Sequence, residues 1–156
     1  GLESVAGTVF QPDKNITRGE FALMVARWMG LDLASYSNVE LPFADASSIA
    51  SWALDGMKAM YAEGIIKGSL DSGTLVVRAN DSISRAEAMT ILGRIQDKGY
   101  VRSELTFSDA GDVASWALPY VQSLVGQGII SGYDNQLRPN DPVKRGEVAK
   151  MLYCML

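Results

Sequence analysis

The sequence contains no histidine and only one cysteine, Cys154. Histidine is the commonest general base and the commonest side-chain ligand of transition metals, so its absence argues against many hydrolytic and metal-dependent enzymes. A single cysteine excludes an internal disulfide and a cysteine metal cluster. A glycine-rich phosphate loop and a nucleophile elbow are missing as well. The sequence therefore predicts a protein that is not an enzyme, with a glycosidase built on paired carboxylates as the alternative.

Positive charge and long hydrophobic runs are also scarce. Fourteen Lys and Arg residues face eighteen Asp and Glu residues, and no basic cluster follows the pattern of a phosphate-binding surface. No apolar run approaches the roughly 18–20 residues that span a bilayer, and a secretory signal peptide, if one existed, has been removed. The loops around Asp71 and Asp134 lack the alternating acidic ligands of an EF-hand. We therefore expect no nucleic acid, no membrane insertion, no metal and no cofactor.

One short motif occurs three times. It reads Ile-Thr-Arg-Gly-Glu at 16–20, Ile-Ser-Arg-Ala-Glu at 83–87 and Val-Lys-Arg-Gly-Glu at 143–147. Each copy is followed by apolar residues at i, i+3, i+4 and i+7, which is the period of an amphipathic helix. With 156 residues and 47% hydrophobic content, the chain is predicted to be one domain, or a few small repeats that share a core.

The start of this helix resembles a capping box in two of the copies. Thr17 and Ser84 are the predicted N-caps, each with a glutamate three residues later. In the third copy Lys144 replaces the hydroxyl residue, so we expect that helix to start a turn earlier, capped by Asp141 with Pro142 at the first helical position. The glutamates, which we interpret as caps, are Glu20, Glu87 and Glu147.

The arginine of the motif needs a different explanation. A cation in the first turn meets the positive end of the helix dipole, at a cost of about 0.3–1 kcal/mol. Arg18, Arg85 and Arg145 would be favourable there if they bound a carboxylate or phosphate beside free helix N–H groups. An internal ion pair with an aspartate is the alternative, and the sequence does not choose between the two.

A second unit occurs twice, 64 residues apart. Phe-x-Asp is followed by Ser-Trp-Ala-Leu, an apolar stripe and Gly-Ile-Ile-x-Gly, at 43–68 and at 107–132. Ser51 and Ser115 are predicted N-caps, Pro119 places the second helix start close to Trp116, and the helices should end at Gly64 and at the equivalent residue 128. Turn-forming loops at 69–82 and 133–142 then lead to the arginine helix, and residues 1–16 have the same loop character. The first copy lacks the Trp helix, so the chain begins in mid-repeat.

These motifs in this fixed order resemble the S-layer homology (SLH) repeat over nearly the whole chain. The resemblance implies an all-α fold, a pseudo-threefold spindle of helical repeats with ligand grooves between neighbours. It implies one SLH module at 1–156, made of a partial first repeat at 1–30, a second repeat at 43–98 and a third at 107–156. The absent first helix removes one groove wall, and either an upstream segment or self-association with a neighbouring molecule would replace it.

The resemblance also implies a function. SLH modules anchor surface proteins to the bacterial cell envelope without catalysis. In Gram-positive members the ligand is a secondary cell-wall polysaccharide that commonly carries pyruvate ketals on an N-acetylmannosamine unit. The expected location is therefore extracellular, on the cell wall or S-layer. The family's motif arginine, which lies in the groove, matches Arg18, Arg85 and Arg145. Structural self-assembly of a surface protein, without glycan recognition, is the alternative.

The remaining candidate residues each have two interpretations. Asp45 and Asp109 would bind sugar hydroxyls or cap a turn. Trp52 and Trp116 would stack on a sugar or, as the start of an amphipathic helix favours, lie in the core. The other candidates for ligand contact, each with a backbone or solvent role as the alternative, are Lys67, Gly68 and Gly132.

Overall fold

The computed structural model describes residues 4–5, 8–9, 11–96 and 102–156. Within these ranges the chain forms five α-helices and two antiparallel two-stranded sheets. The helices are α1 Arg18–Trp28, α2 Ser51–Ala62, α3 Arg85–Ile95, α4 Leu118–Gly126 and α5 Arg145–Cys154. The sheets pair β1 Ser4–Val5 with β2 Thr8–Val9, and β3 Ser69–Asp71 with β4 Thr74–Val76. Short 3-10 turns lie at Leu33–Tyr36, Ala46–Ser48 and Ala110–Asp112.

The hairpins correct the all-α prediction, because the fold is helix-rich rather than purely helical. Between β3 and β4, Ser72 and Gly73 both have positive φ, 51° and 83°, as a tight turn that matches the twist of a hairpin requires. The third repeat has a smaller version, in which Tyr133 and Gln136 exchange two backbone hydrogen bonds of 3.0 Å. The loops at 69–82 and 133–142 therefore contain ordered turns that helical periodicity does not reveal.

Most helix ends lie close to their predicted positions. The capping boxes of α1 and α3 form as predicted, through Thr17 with Glu20 and Ser84 with Glu87. The predicted cap at Ser51 is wrong, because Ser51 is already the first residue of α2. Likewise α4 begins at residue 118, two residues after the tryptophan, with its proline in the first turn.

The third arginine helix begins at Arg145 and not a turn earlier, so the prediction of an Asp141 cap is wrong. Pro142 lies opposite Ser84 in an extended bridge, and the paired backbone holds this segment out of the helix. Lys144 is the N-cap residue, and its backbone N–H donates to Glu147 over 2.9 Å. Since lysine has no acceptor atom, only this half of a capping box stabilises α5.

The three segments that lead into the arginine helices are joined by a closed cycle of backbone hydrogen bonds. The N–H of Ile16 donates to Val143, that of Val143 to Ile83, and that of Ile83 to Ile16, over 3.2, 3.0 and 3.1 Å. All three side chains are buried. The cycle brings the first turns of α1, α3 and α5 together.

One cluster of buried apolar side chains runs from Ile16 to Met155 and includes residues of all five helices. Helix α1 packs on α2, and α3 packs on α4. Small residues allow this close packing: a Cβ on Gly93 would lie 2.6 Å from Cβ of Tyr120. None of the described helices is long and apolar enough to cross a membrane. Cys154, the single cysteine, is exposed.

Candidate functional site

The first turns of the arginine helices are not free to bind an anion through their amides. The N–H groups of Arg18 and Gly19 donate to the carbonyls of Asp81 and Ala79, over 2.9 and 2.8 Å. The backbone N–H groups at the same positions of α3 and α5 donate to carbonyls in the loops of other repeats. The predicted amide-lined anion site is therefore wrong, and these amides instead hold the repeats together.

The three arginines form a ring of ion pairs with the three capping glutamates. Arg18 pairs with Glu87, and in the same way Arg85 pairs with Glu147 and Arg145 with Glu20. Each arginine thus contacts the glutamate of a different repeat. The predicted alternative of an internal ion pair is confirmed in kind, although the partners are glutamates and not aspartates.

Each glutamate has two roles at once. One carboxylate oxygen of Glu87 accepts the backbone N–H of Ser84 over 3.1 Å, and the other accepts the guanidinium of Arg18. Burial alone would raise the pKa of Glu87, but the hydrogen bonds from Arg18 and Ser84 outweigh burial and lower that pKa below its ordinary value. Glu87 therefore remains ionised and holds two repeats together.

Exposure separates the three arginines. The side chain of Arg18 is 22% exposed, that of Arg85 is 12% exposed and that of Arg145 is 4% exposed. Arg145 thus has almost no surface for a ligand in this arrangement. Of the three predicted contacts, the structure favours Arg18.

Arg18 lines a cavity of about 330 Å³. Three other predicted site residues, Lys67, Gly68 and Trp116, lie in the same wall. The apolar part of the lining is supplied by Phe21, Met57, Ile65, Ile66, Val77, Ile83 and Ile91, and the remaining lining residues are Ser69, Glu87, Thr90 and Arg94. Arg18 and Phe21 come from α1, Trp116 from the segment before α4, and the other lining residues from 57–94.

Trp52 and Trp116 are both more exposed than predicted. Trp116 is 54% exposed beside the cavity, and Trp52 is 43% exposed away from it. The interpretation of these indoles as core residues is therefore wrong. Residue 116 lies just before α4, where the later helix start leaves its side chain at the surface.

The two aspartates of the Phe-x-Asp motif hold loops in place. The carboxylate of Asp45 accepts the backbone N–H groups of Val77 and Arg78, over 3.0 and 2.9 Å. Asp109 accepts those of Leu137 and Arg138 in the same way, over 2.9 Å each. Burial would raise the pKa of Asp109, but these hydrogen bonds outweigh it and lower the pKa. Neither aspartate lines the cavity.

Gly68 and Gly132 are required by the backbone and by the phenylalanine of the same motif. Both have positive φ, 74° and 73°. A Cβ on Gly68 would lie 2.5 Å from Cε1 of Phe43, and one on Gly132 would lie 2.5 Å from Cε1 of Phe107. The Phe-x-Asp motif therefore fixes the glycine loop from two sides, through ring packing and through the carboxylate.

Sequence reasoning did not identify Arg94 as a site residue, although it lines the cavity. Its guanidinium carbon lies 5.6 Å from the centroid of the Tyr120 ring. The equivalent residues of the other arginine helices are Arg27 and Cys154. Arginine occupies this position in two of the three copies, but the position lies outside the repeated Arg-x-Glu and Gly-Ile-Ile-x-Gly motifs.

Comparison with known proteins agrees with this architecture. A family model for the S-layer homology domain matches residues 3–22, 42–89 and 106–149. The chain is 31% identical over 160 residues to a cellulosome-anchoring protein of Acetivibrio thermocellus, across 97% of this chain and 34% of that protein. It is 31% identical over 161 residues to an amylopullulanase of Thermoanaerobacterium thermosulfurigenes, across 99% of this chain and 8% of the enzyme. It is 29% identical over 155 residues to the surface-layer 125 kDa protein of Lysinibacillus sphaericus, across 95% of this chain and 12% of that protein. The chain thus spans about a third or less of the length of these relatives.

Proposed function

The chain belongs to the S-layer homology domain family, and we propose that it anchors a surface protein to the bacterial cell wall by binding a wall polysaccharide without catalysis. Domains of this family anchor surface proteins to the cell wall. The match to an amylopullulanase covers only 8% of that enzyme, which is consistent with a shared anchoring segment. The location of this chain is accordingly the cell surface.

The cavity beside Arg18 carries the proposal. It combines cationic side chains, an apolar wall and the exposed indole of Trp116. A carboxylated sugar matches all three, because its carboxylate can accept charge-assisted hydrogen bonds while its ring stacks on the indole. We therefore propose a wall polysaccharide with pyruvate ketals as the ligand, held by Arg18, Lys67, Gly68 and Trp116.

We further propose that the repeats form a pseudo-threefold spindle. The closed hydrogen-bond cycle through Ile16, Ile83 and Val143 and the ring of three ion pairs support this arrangement. In this proposal Arg85 and Arg145 hold the repeats together, and Arg18 both holds them and binds the ligand.

Calorimetric titration with purified wall polymer tests the ligand proposal. Native polymer should bind, and polymer from which mild acid has removed the pyruvate should bind at least tenfold more weakly. Arg18→Gln should lower the affinity by a similar factor. Arg85→Gln is the matched control, because Arg85 makes an equivalent ion pair and does not line the cavity. Equal affinity for the two polymers, or equal effects of the two substitutions, would contradict the proposal.

Self-association is a separate proposal, supported by the outer face of α5. Tyr153 is 74% exposed at a position where α1 has the buried Ala26 and α3 has the buried Gly93. A helix of a second molecule would cover this face. Sedimentation velocity should then show a dimer that dissociates in the Tyr153→Glu variant, whereas a wild-type monomer at all concentrations would contradict it.

A further inference from the structure

We propose that Arg94 is a specificity-determining residue that gives the cavity a second anion position, so that the preferred saccharide carries two anionic groups. The inference rests on the proposed function of the same cavity. It goes beyond the repeated motif, because the residue responsible is not part of that motif.

The lining of the cavity carries more positive than negative charge. Three cationic side chains line it, those of Arg18, Lys67 and Arg94, against the single carboxylate of Glu87. Arg18 is paired with that carboxylate. Within the part of the chain that the structure describes, neither Lys67 nor Arg94 takes part in an ion pair. The lining therefore has positive charge available for a ligand beyond the guanidinium of Arg18.

Arg94 is held apart from the Arg18–Glu87 pair. It follows Glu87 by seven residues on α3, which is two helical turns or roughly 10 Å along the axis. Its guanidinium lies over the ring of Tyr120, and Nη1 makes one long hydrogen bond of 3.4 Å to the carbonyl of Ile65. A guanidinium carries five N–H donors, so most of its donors are available to an acceptor in the cavity.

The same combination does not recur one repeat further along the sequence, around Arg85. Cys154 occupies the place of Arg94, and Ser131 occupies the place of Lys67. Two charges are thus replaced by neutral side chains, while the motif arginine is retained. The cavity beside Arg18 is therefore suited to a ligand with two anionic groups, the second a phosphate or a uronate carboxylate.

Three synthetic probes separate one anion from two. The first is the methyl glycoside of pyruvylated N-acetylmannosamine, which has one carboxylate. The second is the anomeric phosphate of the same pyruvylated sugar. The third is a disaccharide of that sugar with glucuronic acid. Calorimetry on the wild-type chain should show at least tenfold tighter binding for one or both of the probes that carry a second anionic group, and the probe that gains identifies the second anion.

Arg94→Gln should reduce this preference to near unity, and it should weaken binding of the monoanionic probe far less than binding of the probes with two anionic groups. Arg94→Lys should retain part of the preference, because lysine keeps the positive charge. A merely structural role of Arg94 would not predict this result. Arg27→Gln is the matched control, since Arg27 occupies the same helix position outside the cavity. Thermal unfolding of each variant checks that the fold is retained.

Two results would overturn this inference without affecting the proposed function of the cavity. One is equal wild-type affinity for all three probes, and the other is an equal loss of affinity for all probes in Arg94→Gln. The first would mean that a single anion is recognised, and the second that Arg94 contacts the same anion as Arg18. If neither the probes nor the wall polymer bind the wild type, the proposed function of the cavity fails as well.

Discussion

Arg145 of the last helix pairs with Glu20 of the first, 125 positions earlier in the sequence, and both residues are buried. This contact joins the first and the last of the described helices, and it completes the ring of three ion pairs. A buried pair is costly to break from one side, because the remaining charge is left without a partner.

Arg145→Met should therefore lower the free energy of unfolding by about 3–5 kcal/mol. Arg18→Met should cause a clearly smaller loss, because the Arg18 side chain is 22% exposed and water can solvate the remaining Glu87. Urea unfolding followed by circular dichroism measures both. The exposed Arg27→Met is the control, expected within about 0.5 kcal/mol of the wild type. Equal losses for Arg145 and Arg18 would show that burial does not set the strength of these pairs.

Glu87 makes the stability of the folded protein depend on pH. Its pKa is lower in the folded protein than in the unfolded chain, so its stabilisation is present above the unfolded pKa, about 4.3, and is lost as the pH falls through the folded pKa. Urea midpoints between pH 7 and pH 3 should fall less steeply for Glu87→Gln than for the wild type. The exposed Glu104→Gln should follow the wild-type curve, and an unchanged slope in Glu87→Gln would contradict this assignment.

Gly68→Ala should destabilise the protein more than Gly73→Ala. Both glycines have positive φ, which costs an alanine about 1–2 kcal/mol. Only Gly68 adds a clash, with the ring of Phe43 and the carbonyl oxygen of Val76, because nothing lies within 4 Å of a Cβ on Gly73. The difference between their urea midpoints isolates this packing term, about 1–3 kcal/mol for an overpacked site. If Gly73→Ala were as unstable as Gly68→Ala, the backbone conformation alone would explain both losses, and the clash at Gly68 would contribute nothing.

Lys144→Thr should stabilise the protein by about 0.5–1 kcal/mol. The residue has the extended backbone of an N-cap, φ −98° and ψ 154°, but no side-chain acceptor for the third N–H of α5. Threonine would supply that acceptor. Lys144→Ala removes the same amine without adding an acceptor, so a thermal midpoint raised equally in both variants would count against capping.

The repeated motifs predicted the helices because capping and apolar periodicity are local properties. Thr17 with Glu20, and Ser84 with Glu87, are each separated by three residues, so the sequence alone reveals them. The pairing of Arg18 with Glu87 spans 69 positions, and no local pattern specifies it. The glutamates were interpreted as caps alone because their second oxygen meets a distant repeat.

The cavity was predictable in part for the same reason. Arg18, Lys67, Gly68 and Trp116 belong to motifs that stand out through repetition. Arg94 does not, because it lies outside these motifs, and its place in the cavity depends on the folded arrangement, in which its guanidinium lies over Tyr120 of α4. The exposure of Trp116 was missed because Pro119 lies in the first turn of a helix that starts later than expected.

The cycle of hydrogen bonds through Ile16, Ile83 and Val143 has a mechanical consequence. A pulling force on one of these segments acts at the same time on its bonds to the other two. The repeats therefore share the load, instead of peeling away in turn as in a linear array. An anchor of this design should rupture in one event in single-molecule force spectroscopy, and it should resist tension as a single unit until that event.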